Sequence, residues 1–391
     1  MDCLTVKSAY LDKIRQGYPW VYTNALASTP DLPSGSLVYL GDNKRKPFAI
    51  AYYNPKSRIA CRVLTLDWKA KIDSHFFYHR FAAALSKREA RFKVPYYRLI
   101  HAEGDALPGL IIDRFNDTLV CQTNTAGMEK LKPLWVQALQ ESLNPAQIIF
   151  RDDINSREKE GLIPNEVANQ SESVSTPPIQ ILEHNTVFFA SPSNGQKTGW
   201  FFDQRENRRW MATFCKNKTV LDLYTYSGGF GISAAKAGAQ SVTLVDSSAL
   251  ALSFAQLAAK ANDVSEKCEY INENVFTLLP KLHEANQQYD VVIADPPAFV
   301  KQAQHKGPGL RGYQKLAKLC ATSVKTGGYL FIASCSHHAP MTDFRKAVET
   351  GIAKSGRSFT FIRKGGADKD HPIHPMLQEN YYLKALLYHL D

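Results

Sequence analysis

Apolar positions along this chain follow two periods. In the second half, short apolar runs bounded by charge alternate with longer stretches of helical spacing, the pattern of strands and helices taken in turn. Thr219 to Leu223 reads as a buried strand and Ser227-Gly228-Gly229 as a glycine turn. Gly231 to Ala237 reads as an alanine-rich helix closed by Gly238, and Ser241 to Val245 as a second strand ending on Asp246. Strand, turn, helix, strand and acid make one βαβ unit of a doubly wound sheet. The alternation continues through a helix at Ala249 to Asn262, a short strand at Glu269 to Ile271, and a strand in Tyr289 to Phe299 that runs into Asp295-Pro296-Pro297. A helix at Tyr313 to Ser323, a turn at Gly327-Gly328 and a strand at Tyr329 to Ser334 follow. A helix at Met341 to Lys354 and a strand pair, Ser358 to Lys364 and Tyr381 to Tyr388, finish the sheet. Upstream of it, Gln180 to Ala190 reads as a strand and Asp203 to Trp210 as a helix.

The first half is patterned differently. Residues 1–70 carry strand-like runs at Ser36 to Leu40, Phe48 to Tyr53 and Ile59 to Leu66, separated by turn residues such as Gly41-Asp42-Asn43 and Asn54-Pro55-Lys56. That spacing predicts a small β-barrel-like module. Ile72 to Ala90 is helical, with Phe76, Phe77, Phe81, Ala84 and Leu85 at helical spacing. Arg98 to Phe115 reads as strand, bend at Gly104-Asp105 and strand; Thr118 to Thr123 as a strand, Met128 to Leu143 as a helix and Gln147 to Arg151 as a strand. The expected fold class is therefore α/β: a β-barrel over 1–70, a central α+β domain over 71–180 and a doubly wound, Rossmann-like domain over 181–391. The polar tract Asn165 to Pro178 reads as a linker.

Composition narrows the function classes. A chain of 391 residues with 44% hydrophobic content can build a sizeable core and suits two or three domains. A net charge of +10 favours a polyanionic partner, and nucleic acid is the usual one. In 1–70, cationic and aromatic residues interleave, among them Lys13, Arg15, Trp20, Tyr53, Lys56 and Arg58. Cations meet phosphates and rings stack on bases, so this set is a candidate RNA-binding surface; a solvated barrel with core aromatics would carry the same residues. The N-terminus has no apolar leader and no run is long enough to span a bilayer, so a cytoplasmic protein is expected. Seven scattered cysteines without a C-x-x-C pair predict reduced thiols, with neither a disulfide framework nor a metal site.

In doubly wound sheets ligands lie beyond the carboxyl ends of the strands. Asp222, Asp246, Asn274, Asp295 and Cys335 all fall at or just past such ends. The turn lacks G-x-G-x-x-G, and Asp222 puts an acid in the end of the first strand. A cofactor without a pyrophosphate fits better than NAD: S-adenosylmethionine, whose ammonium takes carboxylates or carbonyls. Asp246 is placed for ribose hydroxyls and Asn274 for an adenine amine. Two prolines fix the backbone after Asp295, so its carboxyl can meet the edge of a planar base, with Phe299 available to stack on it. Cys335, flanked by Ser334, Ser336 and His337, is a candidate nucleophile. Carbon 5 of cytosine does not take a methyl group directly; a thiolate adding to carbon 6 makes an enamine that does, and polar neighbours can lower a thiol's pKa.

HAEGDALPGLIIDRF, GQKTGWFFDQRENRR, DLYTYSGGFGISAAKAGA, DPPAFVK, SCS and HPxxP…E-x-x-YLK together resemble the RlmI-like (YccW-like) family of ribosomal RNA cytosine-carbon-5 methyltransferases, as do GYPWVYTNAL and AYYNPKSRIACRVLT near the front. The resemblance spans nearly the whole chain. It implies an N-terminal PUA RNA-binding domain, a central α+β domain and a C-terminal class I methyltransferase domain. It also implies S-adenosylmethionine as donor, a cytosine of 23S ribosomal RNA or of the assembling large subunit as acceptor, and a homodimer. By motif, Tyr224, Tyr226, Gly228 and Gly229 would hold the cofactor with Asp222, Asp246 and Ser247. Gln204 would flank its methionine end and Asn274 the adenine. Asp295 would orient the base beside the cofactor and Cys335 would be the nucleophile. Many related cytosine-carbon-5 enzymes carry a second cysteine after the proline pair to release the product; here that position is Ala298. The base that removes the carbon-5 proton is then Asp295 or a water.

Two other readings stay open. An exocyclic-amine methyltransferase acting on guanine or adenine shares the D-P-P-x-F turn and needs no cysteine. A non-catalytic RNA-binding assembly factor would keep the cofactor fold without its chemistry.

Overall fold

The computed structural model describes residues 1–152, 157–162, 177–192, 195, 197–377 and 381–391. Its contacts separate two units: Met1–Pro177 with Pro192–Trp200 and Lys369–Asn380, and Pro178–Ser191 with Phe201–Asp368 and Tyr381–Asp391. Most of the tract read as a linker, residues 165–176, lies outside the described residues, as do Gln196 and Glu379 of the family-like motifs. Among the described residues no helix is long and apolar enough to cross a membrane.

The first unit opens with β1 (Asp2–Thr5), α1 (Ser8–Arg15), β2 (Trp20–Val21), β3 (Ser36–Gly41), β4 (Pro47–Tyr53) and β5 (Cys61–Thr65). They form a five-stranded sheet in the order β1-β3-β4-β5-β2, closed over Val6, Ile14, Val21, Val38, Leu40 and Tyr53. Periodicity finds β3, β4 and β5 but not β1 or β2, which at four and two residues are too short to show a period. Next come α2 (Ser74–Glu89), capped where Asp73 accepts from Phe76 N, and a four-stranded sheet β6 (Tyr96–His101), β7 (Leu110–Phe115), β8 (Thr118–Thr123) and β9 (Gln147–Phe150). The helix expected over Met128 to Leu143 is two helices, α3 (Ala126–Lys130) and α4 (Lys132–Leu143). Pro133 sits in the first turn of α4; its missing N–H and its ring forbid one continuous helix through this point.

The second unit begins with a correction. Gln180 to Ala190 is not one strand but a hairpin, β10 (Ile179–Glu183) and β11 (Thr186–Ala190). His184 and Asn185 turn it with φ of 49° and 61°, the left-handed pair of a two-residue hairpin. After α5 (Arg205–Ala212) come β12 (Thr219–Leu223), α6 (Gly229–Lys236), β13 (Ser241–Asp246), α7 (Ala249–Ala261), β14 (Cys268–Asn272), α8 (Val275–Glu284) and β15 (Tyr289–Ala294). Then follow α9 (Lys306–Thr322), β16 (Val324–Ser334), α10 (Met341–Ala353), β17 (Phe359–Gly365) and β18 (Lys384–Leu390). The seven strands order β14-β13-β12-β15-β16-β18-β17. All are parallel except β18, which runs antiparallel to both neighbours. The order reverses between β12 and β15, the switch point where such sheets open a crevice.

Three boundaries differ from the pattern, and the first is β18, which starts at Lys384 and not Tyr381. α9 starts at Lys306, not Tyr313. Gly307 and Gly309 mask its period, but Pro308 is tolerated in a first turn, and a Cβ at Gly309 would stand 2.6 Å from Phe299 O. Gly327-Gly328 is not a separating turn but lies inside β16, where the pairing with β15 skips from Tyr289↔Val324 to Val291↔Tyr329. The glycines carry that bulge.

Candidate active site

Asp222 braces the glycine turn from below. It is the penultimate residue of β12, and its Oδ2 accepts from Gly231 N at 2.7 Å and from Thr225 Oγ1. A Cβ on Gly231 would lie 3.0 Å from that oxygen and 2.8 Å from Leu244. Gly228 has φ of +84°, and a Cβ there would meet Ile232 at 2.8 Å and Ala255 at 2.9 Å, so only glycine serves. Tyr224 and Tyr226 also adopt left-handed φ, 60° and 52°, a strained choice for tyrosine that concentrates at functional sites. Tyr226 N donates to Asp246 Oδ2 at 2.9 Å, and Ser248 N donates to Asp246 Oδ1 at 2.8 Å. Asp222, the turn and Asp246 are thus one hydrogen-bonded piece. Within it, Asp222 Oδ1, Tyr224 OH and Ser227 Oγ are buried without a hydrogen-bond partner. Each such atom costs about 1–3 kcal/mol. Three in six residues mark a place built for a polar ligand.

The surrounding field is negative. Burial first, and then the neighbouring Asp203, push Asp295 up to about 7; Gln204 hydrogen-bonds its carboxyl and acts against the rise. Burial pushes Asp222 up to about 7 as well, with Asp246 adding to it. Arg208 lies close enough to oppose both shifts, but its guanidinium is held by Glu183 at 2.7 and 2.6 Å. Four carboxyls, Asp203, Asp222, Asp246 and Asp295, therefore share one region of a chain whose net charge is +10.

Cys335 follows the last residue of β16 and is half-buried. Its two flanking serines bond to the Tyr313 hydroxyl. Ser334 Oγ donates to Tyr313 OH at 2.8 Å, and Ser336 Oγ bonds the same hydroxyl at 2.8 Å. Ser336 Oγ also accepts from Val300 N at 3.2 Å, and Tyr313 OH accepts from Phe299 N at 3.3 Å. The serines of S-C-S fasten the cysteine's strand end to the loop after Asp295-Pro296-Pro297, with Tyr313 of α9 as the clasp. Phe299 is half-buried against Tyr313, 4.7 Å between ring centres, and Phe276. On the other side His337 stacks on Tyr382 at 5.1 Å, and Tyr382 OH donates to Asp203 Oδ2 at 2.6 Å.

The sheet brings Asp222, Tyr224, Tyr226, Gly228, Gly229, Asp246, Asp295 and Cys335 to one edge, the carboxyl ends of parallel strands. Gln204 joins them through Asp295. Ser247 is exposed just past β13. Asn274 caps α8, its Oδ1 accepting from Phe276 N at 2.8 Å, so only that oxygen's second lone pair is left for an amine. Pattern alone missed Tyr313 and Asp203 as site residues and did not single out Lys384 from the Y-L-K stretch; a polar residue entering an apolar strand was the available signal for Lys384.

The six residues of the first unit divide. Lys13, Trp20 and Arg58 line one cleft of about 620 Å³ with Tyr10, Tyr18 and Tyr22. Trp20 Nε1 donates to Glu103 Oε1 at 2.7 Å, and the Lys13 ammonium lies 3.6 Å over the Tyr18 ring. Arg15 and Lys56 are exposed outside that cleft. Tyr53 is a correction: it is fully buried in the sheet's core and its hydroxyl donates to Pro30 O at 3.1 Å, so it cannot stack on a base.

Residues 4–66 match a PUA-like domain, and residues 166–389 match the family of S-adenosylmethionine-dependent methyltransferases. The chain is 35% identical over 382 residues to a ribosomal RNA large subunit methyltransferase I from Photobacterium profundum, covering 95% of each chain. It is 35% identical over 390 residues to the protein of that name from Aliivibrio fischeri, covering 97% of this chain and 98% of the relative. Among solved structures, a candidate methyltransferase in complex with SAH superimposes with a TM-score of 0.83 at 20% identity, covering 100% of both chains. A candidate S-adenosylmethionine-dependent methyltransferase from Streptococcus mutans does so with 0.82 at 21%, again over 100% of both. At those identities the likeness speaks for the fold.

Proposed function

We propose, because the chain belongs to the family of S-adenosylmethionine-dependent methyltransferases, that it forms 5-methylcytosine in 23S ribosomal RNA through a covalent adduct of Cys335. The residues present fit the donor. Its sulfonium and ammonium are cationic and suit the four carboxyls, and its polar groups answer the orphaned Asp222 Oδ1, Tyr224 OH and Ser227 Oγ. We assign it to Gln204, Asp222, Tyr224, Tyr226, Gly228, Gly229, Asp246, Ser247, Asn274 and Asp295. When bound, S-adenosylmethionine supplies an electrophilic methyl group.

The chain's own residues do the rest. The Cys335 sulfur adds to carbon 6 of the cytosine, and the carbon 5–carbon 6 π pair moves onto carbon 5. Once carbon 5 carries the methyl group, Asp295 accepts its remaining proton. The electrons of that C–H bond restore the double bond as the S–C6 bond breaks and returns the thiolate. A carboxyl near 7 is matched to accepting a proton at neutral pH. Attack on carbon 6 comes from the ring face, so the base leaves its stack. Residues 1–70 would serve as the RNA-binding domain, with Lys13, Arg15, Trp20, Lys56 and Arg58 on phosphates and bases. Residues 71–180 would form the central domain and 181–391 the methyltransferase domain. The relatives' naming for the large subunit supports its RNA as substrate, and the family resemblance supports a cytoplasmic homodimer.

The observation that carries this reading is the clasp that fixes Cys335 to the Asp295 loop through Tyr313. Unmodified ribosomal RNA, or the assembling subunit, incubated with methyl-labelled S-adenosylmethionine tests it. Label in 5-methylcytidine that vanishes with Cys335→Ala is expected. Label in a methylated purine that survives that substitution would replace it with the amine reading. No label with either substrate would leave the binding-factor reading.

A further inference from the structure

We propose that Lys384 is a positioning residue that holds Cys335 as a thiolate, so that one cysteine suffices both to attack and to leave. The inference rests on the covalent reading and deepens it by assigning the charge that reading requires. Lys384 opens β18 and pairs in register with Ser334, the residue before Cys335. It is 3% exposed. Its Nζ donates to Ser336 O at 2.8 Å and to Tyr382 O at 2.7 Å. An ammonium has three donors, and these two bonds anchor it on the carbonyl one residue past the thiol. Among the described residues no carboxylate forms an ion pair with it, and a buried charge without a counterion is costly. Burial pulls Lys384 down to about 8, and Cys335 is the group whose charge opposes that fall. The relation is mutual: an ammonium that a thiolate favours favours the thiolate.

Two other titratable groups near the thiol have contacts of their own. Tyr313, on α9, is raised by burial and stays neutral. His337, beside Cys335, stacks on Tyr382, whose hydroxyl serves Asp203. No bond forms to Lys384 at any step. It stabilises sulfur as an anion before sulfur adds to carbon 6, and again as the leaving group when the S–C6 bond breaks. A better-stabilised thiolate leaves faster. Ala298, where related enzymes place a second cysteine, then needs no replacement.

The test reads the thiol and not turnover. Alkylation of Cys335 by iodoacetamide is followed by mass spectrometry of its peptide across pH 5 to 10 in the whole chain, without RNA. We expect an inflection below the ordinary thiol value of about 8.5 in the wild type. Lys384→Met should move it up by about one unit or more, slowing alkylation at pH 7 on the order of tenfold. Lys384→Arg, which keeps the charge, should restore most of that loss. A wild-type inflection at the ordinary value overturns the proposal even where the Met variant fails to fold. So does a Met profile that superimposes on the wild type. The covalent reading fails separately, if Cys335→Ala still forms 5-methylcytidine.

Discussion

Tyr313→Phe removes one oxygen atom and, with it, the clasp. The hydroxyl takes part in three hydrogen bonds: Ser334 Oγ, Ser336 Oγ and Phe299 N, at 2.8, 2.8 and 3.3 Å. The ring is fully buried and keeps its contacts with Phe299 at 4.7 Å and Phe344 at 5.0 Å, so the packing survives. Ser336 Oγ retains Val300 N, and Ser334 Oγ retains Ser336 N. Phe299 N–H loses its partner outright. Three bonds at about 0.5–1.5 kcal/mol each, with a buried donor left unmet, put the loss of stability at about 2–4 kcal/mol. The functional loss should exceed a uniform weakening, because the bonds join the strand end bearing Cys335 to the loop bearing Asp295. Methyl transfer should fall between about tenfold and a hundredfold, that is about 1.4 kcal/mol per tenfold on the barrier. Donor affinity should stay within about twofold by calorimetry, since none of the three bonds reaches the glycine turn. Urea denaturation of the donor-free protein measures the first quantity and single-turnover transfer to RNA the second. A variant that loses less than about 0.5 kcal/mol and transfers methyl at the wild-type rate would refute the clasp.

Raised carboxyls make two signs of pH dependence. Asp222 and Asp295 sit near 7 in the fold and about 4 when unfolded, so the stability they contribute is full below about pH 4 and is lost as pH rises through about 7. Donor binding and the basic form of Asp295 run the other way: calorimetric affinity and single-turnover rate should both climb between pH 6 and 8, and an Asp295→Asn variant that keeps the full wild-type climb in affinity and the wild-type rate would contradict the assignment. In the first unit, Tyr53→Phe should cost about 1 kcal/mol through its bond to Pro30 and leave RNA affinity unchanged. Arg58→Ala should weaken RNA binding and flatten its salt dependence by gel shift, without changing stability.

Much of the second unit was legible because its strands are buried on both faces and read as apolar runs ended by chemistry. Asp246, Asp295 and Cys335 each stand at a strand terminus that periodicity locates to within a residue. What the pattern hid was hidden for definite reasons. Gln180 to Ala190 alternates as a strand should, and the break shows only in the left-handed φ of His184 and Asn185. Gly307 and Gly309 lower helix propensity, although Gly309 is there for the close approach of Phe299. Tyr53 was misplaced because an aromatic at a strand end has no mark that separates core from surface. Ser334 and Ser336 were rightly seen beside Cys335, but their partner lies 21 and 23 residues away, a distance no local pattern reports.

The charges of the second unit follow a division of labour. A cationic donor and a polyanionic acceptor ask for opposite fields, and the chain's excess of +10 suits the acceptor. The four carboxyls reverse that sign locally, and at physiological salt their reach is about 8 Å where solvent screens them. A phosphate backbone is repelled within that distance, whereas an uncharged base is not. On the proposed function, a target base drawn from its stack would enter where its own phosphates would not, so the acids that suit the donor would also select what part of the RNA reaches the site. If Cys335 is a thiolate as proposed, nearby carboxylates would disfavour it, and the buried ammonium anchored at Ser336 O and Tyr382 O would supply the opposing charge.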